Sequence, residues 1–155
     1  MPRLLSQSRL QTQRIAKDVL NRLIKSKHRP IVLALSGELG SGKTTFIQGL
    51  AKTLGIREKV QSPTFVLAKW YALAKRFNPL RHFIHIDAYR LERMLEAKRL
   101  GFYKILRDNE AVIALEWAER VKKLVPPSAI WIQCKHGQRP KERIIKFKMN
   151  STSSI

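Results

Sequence analysis

The sequence is poor in cysteine and in acidic residues. Cys134 is the one cysteine among 155 residues, so the chain can form neither an internal disulfide nor a cysteine-rich structural zinc site. Only 11 aspartates and glutamates accompany 31 lysines and arginines, which gives a formal net charge of +20. A surplus of this size on a small protein attracts anions, whether nucleotides, nucleic acid or acidic partner surfaces. The charge alone does not select among them.

The sequence also lacks a long hydrophobic segment. No stretch approaches the roughly 18 consecutive apolar residues that cross a bilayer. The basic segment 1–14 has neither the apolar core nor the small-residue cleavage site of a secretory signal. Together with the low cysteine content, these features predict a soluble cytoplasmic protein that makes no membrane contact.

The remaining composition is that of a folded globular protein. Hydrophobic residues make up 44% of the chain and charged residues 27%, which excludes a disordered basic tail. The length suits one hydrophobic core. We therefore expect residues 1–149 to form a single domain and residues 150–155 to be a frayed tail.

Hydrophobic periodicity predicts alternating strands and helices. A four-residue apolar repeat predicts an amphipathic helix over 8–27, and a second helix is expected over 44–54. Residues 31–35 and 111–115 are apolar at every position, as in strands of a parallel sheet that is covered on both faces. Further strand character lies at 65–71 and 82–86, a helix is expected over 89–100, and half-exposed strands are expected over 130–134 and 145–149.

A glycine-rich motif follows the first apolar strand. Residues 37–44, GELGSGKT, match the phosphate-binding pattern G-x-x-x-x-G-K-[ST] between a buried strand and a helix, where its mechanism requires it. The glycines let backbone N–H groups curl around phosphate oxygens, and the helix N-terminus adds its positive dipole end. Lys43 is expected to reach the terminal phosphates, and the Thr44 hydroxyl to join a magnesium shell. The loop itself contains Gly37, Gly40, Ser41 and Gly42.

Two carboxylates are candidates to face this loop. Asp87 follows the strand over 82–86, and Glu116 ends the apolar run that begins at residue 111. Nucleotide hydrolases hold magnesium or its waters with a carboxylate at the end of a second buried strand. Asp87 could instead cap a helix, and Glu116 could be a solvated strand end.

Three further residues have both a functional and a structural interpretation. His85 is either a catalytic group or, as isolated strand histidines more often are, a structural one. Trp117 either stacks on a base or partner or packs in the protein. Cys134 lies on the apolar face of its strand and is most simply a core residue.

Four segments together resemble the TsaE (YjeE) family of bacterial ATPases. They are GELGSGKTT at 37–45, SPTF at 62–65, HIDAYRL at 85–91 and EWAE at 116–119. The resemblance runs from Thr12 to the last strand. The phosphate-binding loop is common to many enzymes, whereas HxDxYRL and the Glu-Trp pair are specific. Two basic segments, 75–81 and 99–107, depart from the family pattern, which is acidic after the YRL motif.

The resemblance implies a fold and an activity. The implied fold is α/β: a three-layer, P-loop NTPase-like domain with a mostly parallel central sheet and antiparallel edge strands. The implied activity is ATP hydrolysis with Mg²⁺ that allows repeated turnover of the TsaD-TsaB complex, which attaches threonylcarbamoyl to an adenosine beside the tRNA anticodon. Transfer RNA would be met through that complex.

Site roles are implied residue by residue. The loop from Gly40 through Thr45 would bind the ATP phosphates, and Thr44 and Glu116 would bind magnesium. Asp87 would support the metal and the water, and Thr64 would act as a switch element that senses the terminal phosphate.

The motifs contain no arginine finger, so we expect slow hydrolysis alone and faster hydrolysis with the partner complex. Arg90 and Arg139 are candidates for nucleotide or partner contacts, although solvated surface positions suit both. Two other functions use the same features. One is a small-molecule kinase, and the other is a nucleotide-gated RNA-binding protein whose basic surface is the working part.

Overall fold

A seven-stranded sheet organises the computed structural model, which describes residues 3–63, 67–91 and 94–149. The strand order is β1-β7-β6-β2-β5-β4-β3. The strands are β1 (Arg3–Ser6), β2 (Ile31–Ser36), β3 (Ala68–Ala72), β4 (His82–Asp87), β5 (Ala111–Glu116), β6 (Ile130–His136) and β7 (Arg143–Met149).

The middle of the sheet is parallel and its edges are antiparallel. β2 lies between β6 and β5 and pairs with both in parallel, and β4 extends the parallel set beyond β5. β3, β7 and β1 add antiparallel strands at the two ends. Every residue of β5 and the first five of β2 are buried, because helices cover both faces of these strands. The predicted α/β fold class is confirmed.

Two long helices cover one face of the sheet. α1 (Arg9–Ser26) begins after Ser8, whose hydroxyl accepts a hydrogen bond from the Gln11 N–H at 3.1 Å. α2 (Lys43–Thr53) packs against α1 so closely that Gly49 is required at the crossing. A Cβ added to Gly49 would lie 2.7 Å from the Gln13 carbonyl oxygen. Leu20 of α1 and Phe46, Ile47 and Leu50 of α2 fill the core on this face.

Shorter elements cover the other face. They are α3 (Met94–Arg99), α4 (Phe102–Ile105) and a 3₁₀ segment over Ala118–Leu124. Their apolar side chains, including Phe102 and Val121, pack against the second faces of β2, β5 and β4. The sheet is therefore the middle of three layers. No helix in the described part of the chain is long and apolar enough to cross a bilayer.

Most predicted elements are found, and two expectations need correction. The helix expected over 89–100 is shorter: residues 88–91 form a turn, in which the Leu91 N–H bonds the Ala88 carbonyl at 3.1 Å, and α3 begins at Met94. β1 was not expected from the sequence, because four residues with one buried side chain give no clear alternation. Residues 65 and 66 of the predicted strand over 65–71, and the tail 150–155, lie outside the described residues.

Candidate functional site

The phosphate-binding motif forms a turn between β2 and α2. Three of its glycines have positive φ angles, 134° at Gly37, 71° at Gly40 and 99° at Gly42. A side chain is excluded at Gly37 by space as well, because an added Cβ would lie 2.1 Å from the Cys134 carbonyl oxygen of β6. The neighbouring strand therefore fixes where the loop begins.

Lys43, the first residue of α2, lies folded back over the loop. Its side chain is buried, and Nζ donates hydrogen bonds to the carbonyl oxygens of Gly37 at 2.7 Å and Glu38 at 2.9 Å. Nζ also lies 3.9 Å from the centre of the Trp117 ring, a cation–π contact. Burial lowers the pKa of Lys43, and the Glu116 carboxylate opposes that shift.

Thr44 and Glu116 meet at the mouth of the loop. The Thr44 hydroxyl donates to the Glu116 carboxylate, with oxygen–oxygen distances of 3.3 and 3.2 Å. Glu116 is only 2% exposed, so the solvated strand end considered from the sequence is wrong. On its other side, Oε1 lies 2.8 Å from Nε2 of His85, which is fully buried.

Asp87 lies beside Glu116, because the two residues are register partners on β4 and β5. One carboxylate oxygen accepts a hydrogen bond from the Tyr89 N–H at 2.9 Å, and the other bonds the Ser62 hydroxyl. The Tyr89 bond makes Asp87 a turn residue and not a helix cap, since no helix begins there. Asp87 and Glu116 thus present oxygen atoms at the same sheet edge.

A cavity of about 800 Å³ opens over the loop. Most of the predicted site residues line it together, and Gly37 shapes the turn from outside the lining. Thr64 lies outside the described residues, although its neighbours Ser62 and Pro63 line the cavity. The predicted residues in the lining are Gly40, Ser41, Gly42, Lys43, Thr44, Thr45, Asp87 and Glu116.

Residues 6–145 match the family model described as threonylcarbamoyl adenosine biosynthesis protein TsaE. The chain belongs to the TsaE family. It is similar to the tRNA threonylcarbamoyladenosine biosynthesis protein TsaE of Borreliella burgdorferi, with 36% identity over 100 residues, 64% of this chain and 69% of that protein. The Streptomyces coelicolor protein of the same name is 41% identical over 104 residues, 66% of this chain and 67% of that one.

A solved structure supports the same fold. The crystal structure of YdiB from Bacillus subtilis superposes with a TM-score of 0.68 and 28% sequence identity. The match covers 97% of this chain and 86% of that one. The TsaE fold therefore extends over almost the whole chain, including the β6–β7 hairpin.

The hairpin carries a site residue that the sequence did not reveal. Arg143, at the start of β7, donates from Nε to the Gly40 carbonyl at 3.1 Å and lines the cavity. Its side chain reaches the loop from 103 positions along the chain, and no motif marks it. Of the two arginines suggested from the sequence, Arg90 lines the cavity, whereas Arg139 is largely exposed beside Glu142.

Two other candidates have structural positions in this TsaE chain. His85 lies behind Glu116 and does not line the cavity, so it is placed to hold the carboxylate and not to touch a substrate. Cys134 is buried in the core beneath the loop. Burial raises the pKa of its thiol to about 12, so it stays protonated at neutral pH.

The residues present fit a magnesium nucleotide. The Ser41 hydroxyl is buried and has no hydrogen-bond partner among the residues described, and a phosphate oxygen would supply one. Thr44, Asp87 and Glu116 offer the hard oxygen ligands that Mg²⁺ prefers, and such sites use one or two carboxylates together with substrate phosphates. In keeping with that pattern, the described residues contain no cluster of three acidic, histidine or cysteine side chains able to hold a metal by themselves.

Proposed function

We propose that this chain is an ATPase that binds ATP with Mg²⁺ and supports formation of threonylcarbamoyladenosine on tRNA, acting with the TsaD-TsaB complex. The observation that carries the proposal is the Thr44–Glu116 contact at the mouth of a phosphate-binding loop. Membership in the TsaE family supports the pathway, since relatives carry that biosynthetic name.

The loop and Lys43 would bind the phosphates. Backbone N–H groups of residues 40–45 surround the loop, and the N-terminus of α2 adds a positive partial charge. Lys43 now bonds two loop carbonyls, so reaching a terminal phosphate requires it to exchange those hydrogen bonds for phosphate oxygens. Thr44 and Thr45, which follow it on the first turn of α2, line the same cavity.

The carboxylates would serve the metal and the attacking water. Bound Mg²⁺ would neutralise charge that develops on the phosphate oxygens. Thr44 and Glu116 would hold it, and Asp87 would orient a water toward the γ-phosphorus. In hydrolysis the water oxygen bonds to that phosphorus, the bond to the β–γ bridging oxygen breaks, and ADP and inorganic phosphate leave with the released proton. Positioning and charge neutralisation are the main requirements of this chemistry.

A rate comparison tests the ATPase and its partner. Phosphate release by the isolated chain is measured with Mg²⁺ and ATP, then again with purified TsaD-TsaB. We expect slow release alone and faster release with the complex. Equal rates would reject activation by the partner, and no release in either case would reject the ATPase.

A cellular measurement tests the pathway separately. The chain is depleted from cells that hold no second copy, and bulk tRNA is digested to nucleosides for quantification. We expect threonylcarbamoyladenosine to fall while other modified nucleosides stay at their usual levels. Unchanged threonylcarbamoyladenosine would refute the role in its synthesis.

A further inference from the structure

One end of the sheet carries a row of basic side chains on a single face. We call this the basic sheet face and define it by Arg3, Gln133, Lys135, Lys146 and Lys148. Arg3 and Gln133 are the register partners of Lys146 on its two sides, and directly paired residues of antiparallel strands share a face. Lys148 and Lys135 lie two residues from Lys146 and Gln133 on the same strands, so they face the same way.

This face is open because the helices lie elsewhere. The opposite side of β6 and β7, formed by Ile132, Cys134, Ile145 and Phe147, is buried in the core beneath α1 and α2. The shorter helices of the other layer pack on the central strands and reach β6 at Trp131. Consequently Arg3, Gln133, Lys135 and Lys148 are exposed and Lys146 is half-buried.

The charge on this face is unbalanced. β1, β6 and β7 contain no aspartate or glutamate. Four ion pairs are found within the described residues, and none of them involves the basic sheet face. Arg3 lies directly opposite Lys146, an arrangement of like charges that destabilises a sheet. Folding therefore does not explain these residues, whereas an anionic ligand would.

The composition of the face favours nucleic acid over a protein partner. Lysine is depleted in protein–protein interfaces, which are built around aromatic and apolar anchors. Leu5, which is 48% exposed, is the one large exposed hydrophobic side chain here within the described residues. Trp131 is partly buried against the second core and is not free to stack on unpaired bases. A rigid array of lysines without stacking groups suits the phosphate backbone of a double helix.

We propose that the basic sheet face binds the phosphate backbone of double-helical RNA directly and without sequence specificity. The choice of RNA over DNA rests on the proposed role in tRNA modification, and the rest of the argument stands on the charge and the register. The face lies outside the nucleotide cavity, since none of its residues lines that cavity. RNA binding and nucleotide binding can therefore be altered independently.

The test compares two triple variants of the full chain. In the face variant, Lys135→Gln, Lys146→Gln and Lys148→Gln remove three charges. The matched control, Arg14→Gln, Lys17→Gln and Arg22→Gln, removes three exposed charges from α1. Binding to a folded tRNA is measured by fluorescence anisotropy between about 50 and 200 mM salt.

We expect the face variant to lose at least tenfold in affinity at about 100 mM salt. The slope of log K against log salt should decrease in magnitude by about 3, one for each lost phosphate contact. The control should bind as the unmodified chain does. Equal losses in both variants would show a bulk charge effect and would overturn the proposal, as would absence of RNA binding by the unmodified chain at about 50 mM salt.

Three further measurements separate the explanations. ATP binding and phosphate release should be unchanged in the face variant, so failure of the ATPase assay would count against the proposed function and not against RNA binding. If the face variant loses TsaD-TsaB binding while RNA binding is unchanged, the face is a protein interface and the proposal is wrong. Should the triple variant unfold, the single exposed change Lys148→Gln is used, with an expected slope change of about 1.

Discussion

His85 Nε2 lies 2.8 Å from Glu116 Oε1, with both side chains buried between neighbouring parallel strands. The carboxylate can only accept, so Nε2–H is the donor, and Nδ1 has no partner among the described residues. The same carboxylate accepts from Thr44 on the cavity side. The orientation of Glu116 is therefore fixed from behind by a residue that does not itself line the cavity.

His85→Ala should weaken metal-dependent nucleotide binding by about 10- to 100-fold, the usual effect of removing a group that orients a metal ligand. Leaving a buried carboxylate without its donor should also lower the free energy of unfolding by about 1–3 kcal/mol. Titration of nucleotide binding with Mg²⁺ and urea unfolding measure the two effects. His85→Gln keeps a donor on the side chain and should recover part of both. An unaltered Mg²⁺ titration in the alanine variant would exclude a positioning role.

Glu116→Gln should reduce phosphate release by at least about 100-fold while leaving the fold intact. Glutamine has the same shape and keeps an acceptor for the Thr44 hydroxyl, but it lacks the negative charge that a cation requires. Nucleotide binding without Mg²⁺ should stay within about threefold of the unmodified chain. Steady-state phosphate release and nucleotide binding with EDTA provide the comparison. Full activity in this variant would remove Glu116 from the site.

Lys43→Ala should lower the affinity for ATP by at least about tenfold, because a charge-assisted bond to a phosphate contributes about 1.5–3 kcal/mol. The matched control is Lys25→Ala, which removes an exposed lysine from the last turn of α1 and should leave binding unchanged. Equilibrium binding of a fluorescent ATP analogue measures both. Equal affinity in the two variants would contradict the role given to Lys43.

Gly49→Ala should destabilise the chain although alanine is the better helix former by about 1 kcal/mol. The added Cβ would lie 2.7 Å from both the Cα and the carbonyl oxygen of Gln13, so α1 and α2 would have to separate. We expect the free energy of unfolding to fall by about 2 kcal/mol or more. Gly101→Ala is the comparison, since nothing lies within 4 Å of its added Cβ and only its φ of 74° is unfavourable. A stabilised Gly49→Ala chain would show that the helix crossing is looser than described.

Cys134 gives a pH dependence with a definite sign. Burial raises the pKa of its thiol to about 12, whereas an unfolded thiol titrates near 8.5. The folded chain therefore keeps the proton while the unfolded chain loses it, and the contribution to stability is lost as the pH rises above about 9. Relative to Cys134→Ala, the unmodified chain should lose about 1.4 kcal/mol for each pH unit between 9 and 10.5. Urea unfolding at several pH values measures this difference, and parallel curves for the two chains would show that the thiol is not buried.

The local sequence was sufficient for the phosphate-binding loop and for the central strands. Glycine spacing, a following lysine and threonine, and two wholly apolar runs have one common physical solution, a loop between a buried strand and a helix. The prediction failed over 89–91, where helical composition was outweighed by the hydrogen bond from the Tyr89 N–H to the Asp87 side chain. It also missed β1, since a short edge strand carries almost no periodicity.

What the sequence by itself determined was the set of groups that can bind a magnesium nucleotide and the surplus of positive charge. The tertiary structure decided which of these groups act together. Parallel register aligned Asp87 with Glu116 and put His85 behind it, and the β6–β7 hairpin brought Arg143 to the loop from 103 residues away. Strand pairing likewise gathered Arg3, Lys146 and Lys148 on one open face. Contacts between residues far apart in the chain depend on register and layer packing, which no local pattern encodes.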